Sequence, residues 1–109
     1  IMVSGRIVKT DINLEPTLQR IVNNRPNIAL EDGKLYKNST NPKLPNGPTY
    51  SEWVVPTQGV NGRGPQRIVV GSDGSMWYSP NHYGQSRPDP NKAISPSNKP
   101  YGNTWRKLK

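Results

Sequence analysis

One carboxylate, two guanidiniums and the sole imidazole of the chain fall in one stretch: Glu52 in Tyr50-Ser51-Glu52-Trp53-Val54-Val55, Arg63 and Arg67 in Asn61-Gly62-Arg63-Gly64-Pro65-Gln66-Arg67, and His82 in Pro80-Asn81-His82-Tyr83. A carboxylate takes up a proton, and an imidazole with an ordinary pKa of ~6.5 holds or releases one near neutrality. Two guanidiniums near one loop grip a single phosphate through paired hydrogen bonds, which suits them to an anionic transition state. Around one phosphodiester such a set suits cleavage of RNA by its own 2′-hydroxyl. The carboxylate takes the 2′-OH proton, the arginines steady the phosphorane, and the imidazolium protonates the departing 5′-oxygen. This chemistry calls for neither a metal nor a cofactor. Taken singly, each residue is more often a solvated surface group, so the weight rests on their order and spacing.

The elements that must bring these residues together are legible as runs of Val, Ile, Trp and Tyr. Ser51 to Pro56, Gln66 to Gly71 and Ser75 to Ser79 read as neighbouring antiparallel strands, the last two joined through Gly71-Ser72-Asp73-Gly74 as a hairpin. Alternation along the first run puts Glu52 and Val54 on one face and Trp53 and Val55 on the other. Arg63 sits in a turn between glycines, Arg67 opens the next strand, and His82 follows a hairpin end. Upstream, Leu14, Leu18, Ile21 and Val22 have helical spacing, with Asn13 as cap, Pro16 in the first turn and Arg25-Pro26 as the stop. Asp32 to Pro48, punctuated by Asn, Gly and Pro, reads as a long surface loop of the kind that carries recognition. The fold class is α+β: one short N-terminal helix packed on an antiparallel sheet.

Composition narrows the field. The 109 residues are read as a single domain, with a core over about 3–83 and a Pro-rich tail of uncertain structure over 84–109. Ten Gly, twelve Pro and no Phe imply irregular backbone and a thin core, so Trp53, Trp77 and Tyr78 are assigned to it. Fifteen Lys and Arg against seven Asp and Glu give a net charge of +8, which selects polyanions or acidic proteins as partners. With no Cys and one His, disulfides, thiolate metal sites and a structural zinc are set aside. No run is long and apolar enough for a membrane span.

The quoted segments resemble the microbial guanyl-type ribonucleases, the family of barnase and its smaller bacterial relatives. Their pattern of E-Y-T-V, then R-G-x-R-R-I, then D-H-Y is similar to "YSEWVV", "NGRGPQRIVVG" and "WYSPNHY" here. "VSGRIV", "TLQRI", "DGKLYKN" and "LPNGPTYSEW" resemble, in order, the opening segment, the helix, the guanine loop and the approach to the catalytic strand, so the likeness runs from about Val3 to Tyr83. It implies Glu52 as general base, His82 as general acid, Arg63 and Arg67 on the phosphate, and a base-binding group of Tyr36, Lys37, Asn38, Ser39, Thr40 and Tyr83.

Three positions depart from the family. Thr40 stands where a glutamate reads guanine, and a hydroxyl does not replace that two-point charged contact. Asn81 replaces the aspartate before the histidine. The closing strand is absent after Tyr83, which leaves three alternatives: missing, displaced to Thr104 through Leu108, or replaced by an RNA-contacting segment. Arg106, Lys107 and Lys109 are read as a solvated tail. The expected protein is a metal-independent endoribonuclease yielding 2′,3′-cyclic phosphates, cytotoxic, monomeric, and secreted or delivered into a target cytoplasm as part of a larger chain, with RNA and an acidic inhibitor as partners. The alternative is a non-catalytic RNA-binding module with Tyr36, Trp53 and Tyr83 as stacking platforms.

Overall fold

The computed structural model describes residues 12–84, 93, 95, 96 and 102–109, together with the backbone of residues 2, 3, 6 and 7. At the N-terminus, β1 (Met2–Val3) and β2 (Arg6–Ile7) form a two-stranded antiparallel ladder. The helical spacing that follows is realised as α1 (Glu15–Val22), with Pro16 in its first turn. Asn13 Oδ1 accepts the Glu15 backbone N–H at 3.2 Å, which satisfies one of the donors that a helix start leaves open. Leu14, Leu18 and Ile21 pack on the sheet, whereas Val22 is 73% exposed and lies off the packed face, contrary to the sequence expectation.

The sheet runs β3 (Lys34–Tyr36), β4 (Tyr50–Val54), β5 (Arg67–Gly71), β6 (Met76–Ser79) and β7 (Arg106–Lys107), each antiparallel to its neighbour. Two sequence expectations change here. The stretch read as loop from Asp32 to Pro48 contains the edge strand β3, paired Lys34 to Glu52 and Tyr36 to Tyr50. Arg106 and Lys107, read as solvated tail, pair with Tyr78 and Trp77, although their side chains stay exposed; of the three alternatives for the closing strand, displacement into Thr104 through Leu108 is the one realised. The rest of the Pro-rich tail falls largely outside the described residues.

Alternation gives the sheet two apolar faces. Trp53, Val55, Ile68 and Tyr78 meet α1 on one, and Tyr36, Leu44, Tyr50, Val69 and Tyr83 cluster on the other, with Trp77 and Trp105 packed against them. Ile68 and Val69, neighbours in β5, are both fully buried, one on each side. Each such side chain stabilises the fold by roughly 1.5–3 kcal/mol.

A polar knot fixes the helix to the end of β4. The buried Thr17 hydroxyl donates to the Val54 carbonyl at 3.0 Å, and Arg20 Nη2 donates to the same oxygen at 2.8 Å. Asp32, its carboxylate fully buried, accepts from Arg20 Nε at 3.0 Å, from Val54 N–H at 2.8 Å and from Asn27 N–H at 2.9 Å. Helix, β4 and the segment leading to β3 are thereby locked to one another, which sets the height of Glu52 on its strand.

Candidate active site

β4 carries Glu52 onto the face opposite α1, where the residue is 9% exposed. Both carboxylate oxygens have partners. Arg63 Nη2 donates to Oε1 at 2.8 Å, and the Tyr83 hydroxyl donates to Oε2 at 2.6 Å. Burial pushes the Glu52 carboxyl upward, but the hydrogen bonds from Tyr83 and Arg63 and the charges of Arg67 and Arg63 outweigh it. The net displacement is below the ordinary value, so Glu52 is an anion at neutral pH.

The turn before β5 positions both arginines. Gly64 holds φ +60°, and a Cβ there would lie 2.9 Å from Thr57 Oγ1, so the tight turn requires glycine. Arg63 is held from outside the turn as well: its Nε donates to the Leu30 carbonyl at 2.9 Å, and Nη1 lies 3.4 Å from Glu31 Oε2. Arg67 is buried. Its Nη1 donates to the carbonyls of Gly64 at 2.6 Å and Gln66 at 2.9 Å, while its Nε lies 4.0 Å from Glu52 Oε2 and makes no hydrogen bond. Burial and the neighbouring Arg63 charge push the Arg67 pKa down.

His82 and Tyr83 both adopt left-handed backbone, with φ 53° and 61°, a conformation that bulky residues hold only under external constraint. The constraint is visible. The His82 N–H donates to the Pro65 carbonyl at 2.6 Å, and the Tyr83 N–H donates to Ser79 Oγ at 3.0 Å. Asn81 completes the turn by accepting from the Gly84 N–H at 3.1 Å and donating from Nδ2 to the Gly102 carbonyl at 3.1 Å. An aspartate has no N–H for the second bond, which accounts for asparagine at this position.

The half-buried imidazole has its pKa pushed down by burial first and by Arg67 and Arg63 next, with Glu52 opposing. His82 thus sits in the field of Glu52 and of the same two arginines that act on Glu52. Arg63 and Arg67 meet Glu52 directly, and the His82 ring lies 5.5 Å from that of Tyr83, which is bonded to the same carboxylate.

The base-binding expectations divide. Lys37 and Ser39 are exposed on the loop after β3. Asn38, with φ 53°, ties that loop together, donating from Nδ2 to the Leu44 carbonyl at 2.9 Å and accepting the Leu44 N–H at 2.8 Å. The Thr40 hydroxyl bonds the phenol of Tyr36. Tyr36, Trp53 and Tyr83, the stacking platforms of the alternative RNA-binding reading, are 8%, 5% and 6% exposed and belong to the core, as the sequence assigned Trp53. Tyr83 instead serves Glu52, and both burial and the carboxylate raise its pKa, keeping the phenol protonated.

Sequence reasoning missed Glu31, Leu30 and Trp105. Glu31 carried no signal beyond preceding Asp32-Gly33, and Trp105 stood in a segment read by composition as tail. A family model described as ribonuclease matches residues 9–86, more than half of the chain. No curated protein and no solved structure matches it.

Proposed function

The chain belongs to the ribonuclease family, with RNA as its substrate, and on that premise we propose that it is a metal-independent endoribonuclease leaving 2′,3′-cyclic phosphate ends. The observation that carries the reading is the shared setting of Glu52 and His82 around Arg63 and Arg67. Glu52, ionised by its partners, is the general base that accepts the 2′-OH proton. The 2′-oxygen then attacks phosphorus, the bond to the 5′-oxygen breaks, and His82 donates the proton that the leaving oxygen needs.

The lowered pKa of His82 would leave it short of protons in the free protein. An anionic phosphodiester beside Arg67 and Arg63 offsets the charges that depress it, so substrate binding restores the imidazolium. Arg67, its side chain buried and its Nε 4.0 Å from Glu52 Oε2, contributes positive charge to a bound phosphate from beneath the site. All four side chains come from one chain, so the site is complete in a monomer.

The loop from Lys37 to Thr40 holds no carboxylate, and the Thr40 hydroxyl is already engaged by Tyr36. A relaxed base preference is the reading this supports. A cytotoxic role, by secretion or delivery into a target cell, is part of the proposal, and the +8 charge supports an RNA substrate and an acidic inhibitor as protective partner. Incubation with RNA in excess chelator tests the reaction: cyclic phosphate ends are expected, and 5′-phosphate ends or loss of cleavage would overturn it.

A further inference from the structure

Trp105 immediately precedes β7, and its ring packs with Trp77 against the apolar face opposite α1. It meets Tyr36 edge-on at 5.9 Å between centroids and Tyr83 at 5.5 Å, with those two rings 4.6 Å apart. Its indole N–H donates to the Pro42 carbonyl at 2.8 Å, which fixes it to the recognition loop. Of the three rings in this stack, Tyr36 and Tyr83 are buried, and Trp105 is only partly buried.

We propose that Trp105 is the nucleobase-stacking residue of the site, taking the place that sequence reasoning gave to Tyr36. Three observations carry this. The ring is oriented from both ends, by the Tyr36 and Tyr83 rings beneath it and by the Pro42 carbonyl at its nitrogen, so little rotamer freedom is lost when a base settles on it. Exposed cations lie on the same side: Lys37 and Lys43 on the loop to which it is bonded, and Lys107, whose Nζ is 5.5 Å from the ring centroid of Trp77 in the same cluster, as a strand of linked phosphates requires. Stacking also tolerates any base, which fits a loop without the carboxylate that would read guanine. The ligand class is therefore single-stranded RNA with an unpaired base beside the scissile bond.

The inference rests on the ribonuclease reading, but its test does not require cleavage. The probe is a 2′-O-methyl oligoribonucleotide, which lacks the attacking hydroxyl, titrated against the wild type, Trp105→Leu and Trp105→Phe. Leu fills the site without a π face, and Phe keeps a ring while removing the indole N–H.

Trp105→Leu should weaken binding by about 5- to 100-fold and Trp105→Phe by less than about fivefold. Saturating probe should quench the tryptophan emission of the wild type, and this quenching should vanish in Trp105→Phe. Equal losses in the two variants, wild-type affinity in a folded Trp105→Leu, or quenching that survives Trp105→Phe would each overturn the proposal. Should Trp105→Leu fail to fold, the Phe variant and the quenching decide. Failure of the ribonuclease reading would appear separately, as intact natural RNA beside unaltered binding of the probe.

Discussion

The Tyr83 hydroxyl stands 2.6 Å from Glu52 Oε2 and donates its proton there, so the residue after His82 holds the carboxylate of the proposed base. A two-residue left-handed turn thereby aims His82 and Tyr83 together. Replacing the phenol with phenylalanine separates its two effects. Tyr83→Phe removes a hydrogen bond to a charged acceptor and should cost about 1.5–3 kcal/mol in urea unfolding. It should also move the acidic limb of the rate profile upward, since one of the contacts that lower the Glu52 pKa is lost.

The pH profile follows from the directions of the two shifts. Glu52 acts as an anion, and its pKa lies below the ordinary 4.5, so the acidic limb of kcat/KM should fall below that pH. With His82 as the proposed acid, its free-protein pKa below 6.5 places the basic limb of kcat/KM below pH 6.5. The basic limb of kcat, which reports the substrate complex, should lie higher, because bound phosphate counters the arginines. Initial rates on a dinucleotide across pH 3 to 9 would check both.

Glu52→Gln and His82→Ala should each lower kcat by roughly 10²- to 10⁴-fold while the far-ultraviolet dichroism stays native. Gln keeps an oxygen for Tyr83 or Arg63, and His82 is half-buried, so neither change should unfold the chain. A folded Glu52→Gln with wild-type turnover would remove the assignment of the base.

The two arginines should respond differently to lysine. Arg67→Lys loses the guanidinium that bridges the carbonyls of Gly64 and Gln66, so it should lower stability by about 1–3 kcal/mol for each acceptor left unsatisfied. Arg63→Lys should cost less stability, because Arg63 is partly exposed, while reducing kcat by about 10²- to 10³-fold through loss of the forked donor. Parallel denaturant and rate measurements on the pair would show whether stability and turnover separate in this way.

Asp32→Asn tests the knot behind the site. It leaves the Arg20 guanidinium beside a neutral partner and should cost about 3–5 kcal/mol, as removing one member of a buried ion pair does. Asp32 lies outside the catalytic group, so the folded fraction should retain turnover, measured well below the melting temperature.

How far the sequence foretold this arrangement depends on how local each signal is. Alternation in Ser51 to Pro56 places Glu52 opposite Trp53 because a strand's faces follow from period two, and the structure agrees. The hairpin through Gly71-Ser72-Asp73-Gly74 was equally legible. β3 was not, since Lys34 and Leu35 are both exposed and a three-residue edge strand shows no buried period. Val22 fits the helical pattern but lies beyond the reach of the sheet, and apolar type alone does not say where a partner stops. The roles of Glu31, Asp32 and Trp105 depend on contacts between segments far apart in sequence, which spacing does not encode. Tyr36 and Tyr83 were correctly placed near the site and wrongly given to solvent: a chain without Phe uses its tyrosines as core.

The displaced closing strand has a consequence for how a newly made chain matures. Glu52, Arg63, Arg67 and His82 all leave the ribosome before Trp105, and β7 has nothing to pair with until β6 is in place. The four residues of the proposed catalytic group are thus synthesised before the indole that bonds the Pro42 loop. A nascent chain passes through a stage in which its acid and base exist while the surface beside them is still unfinished.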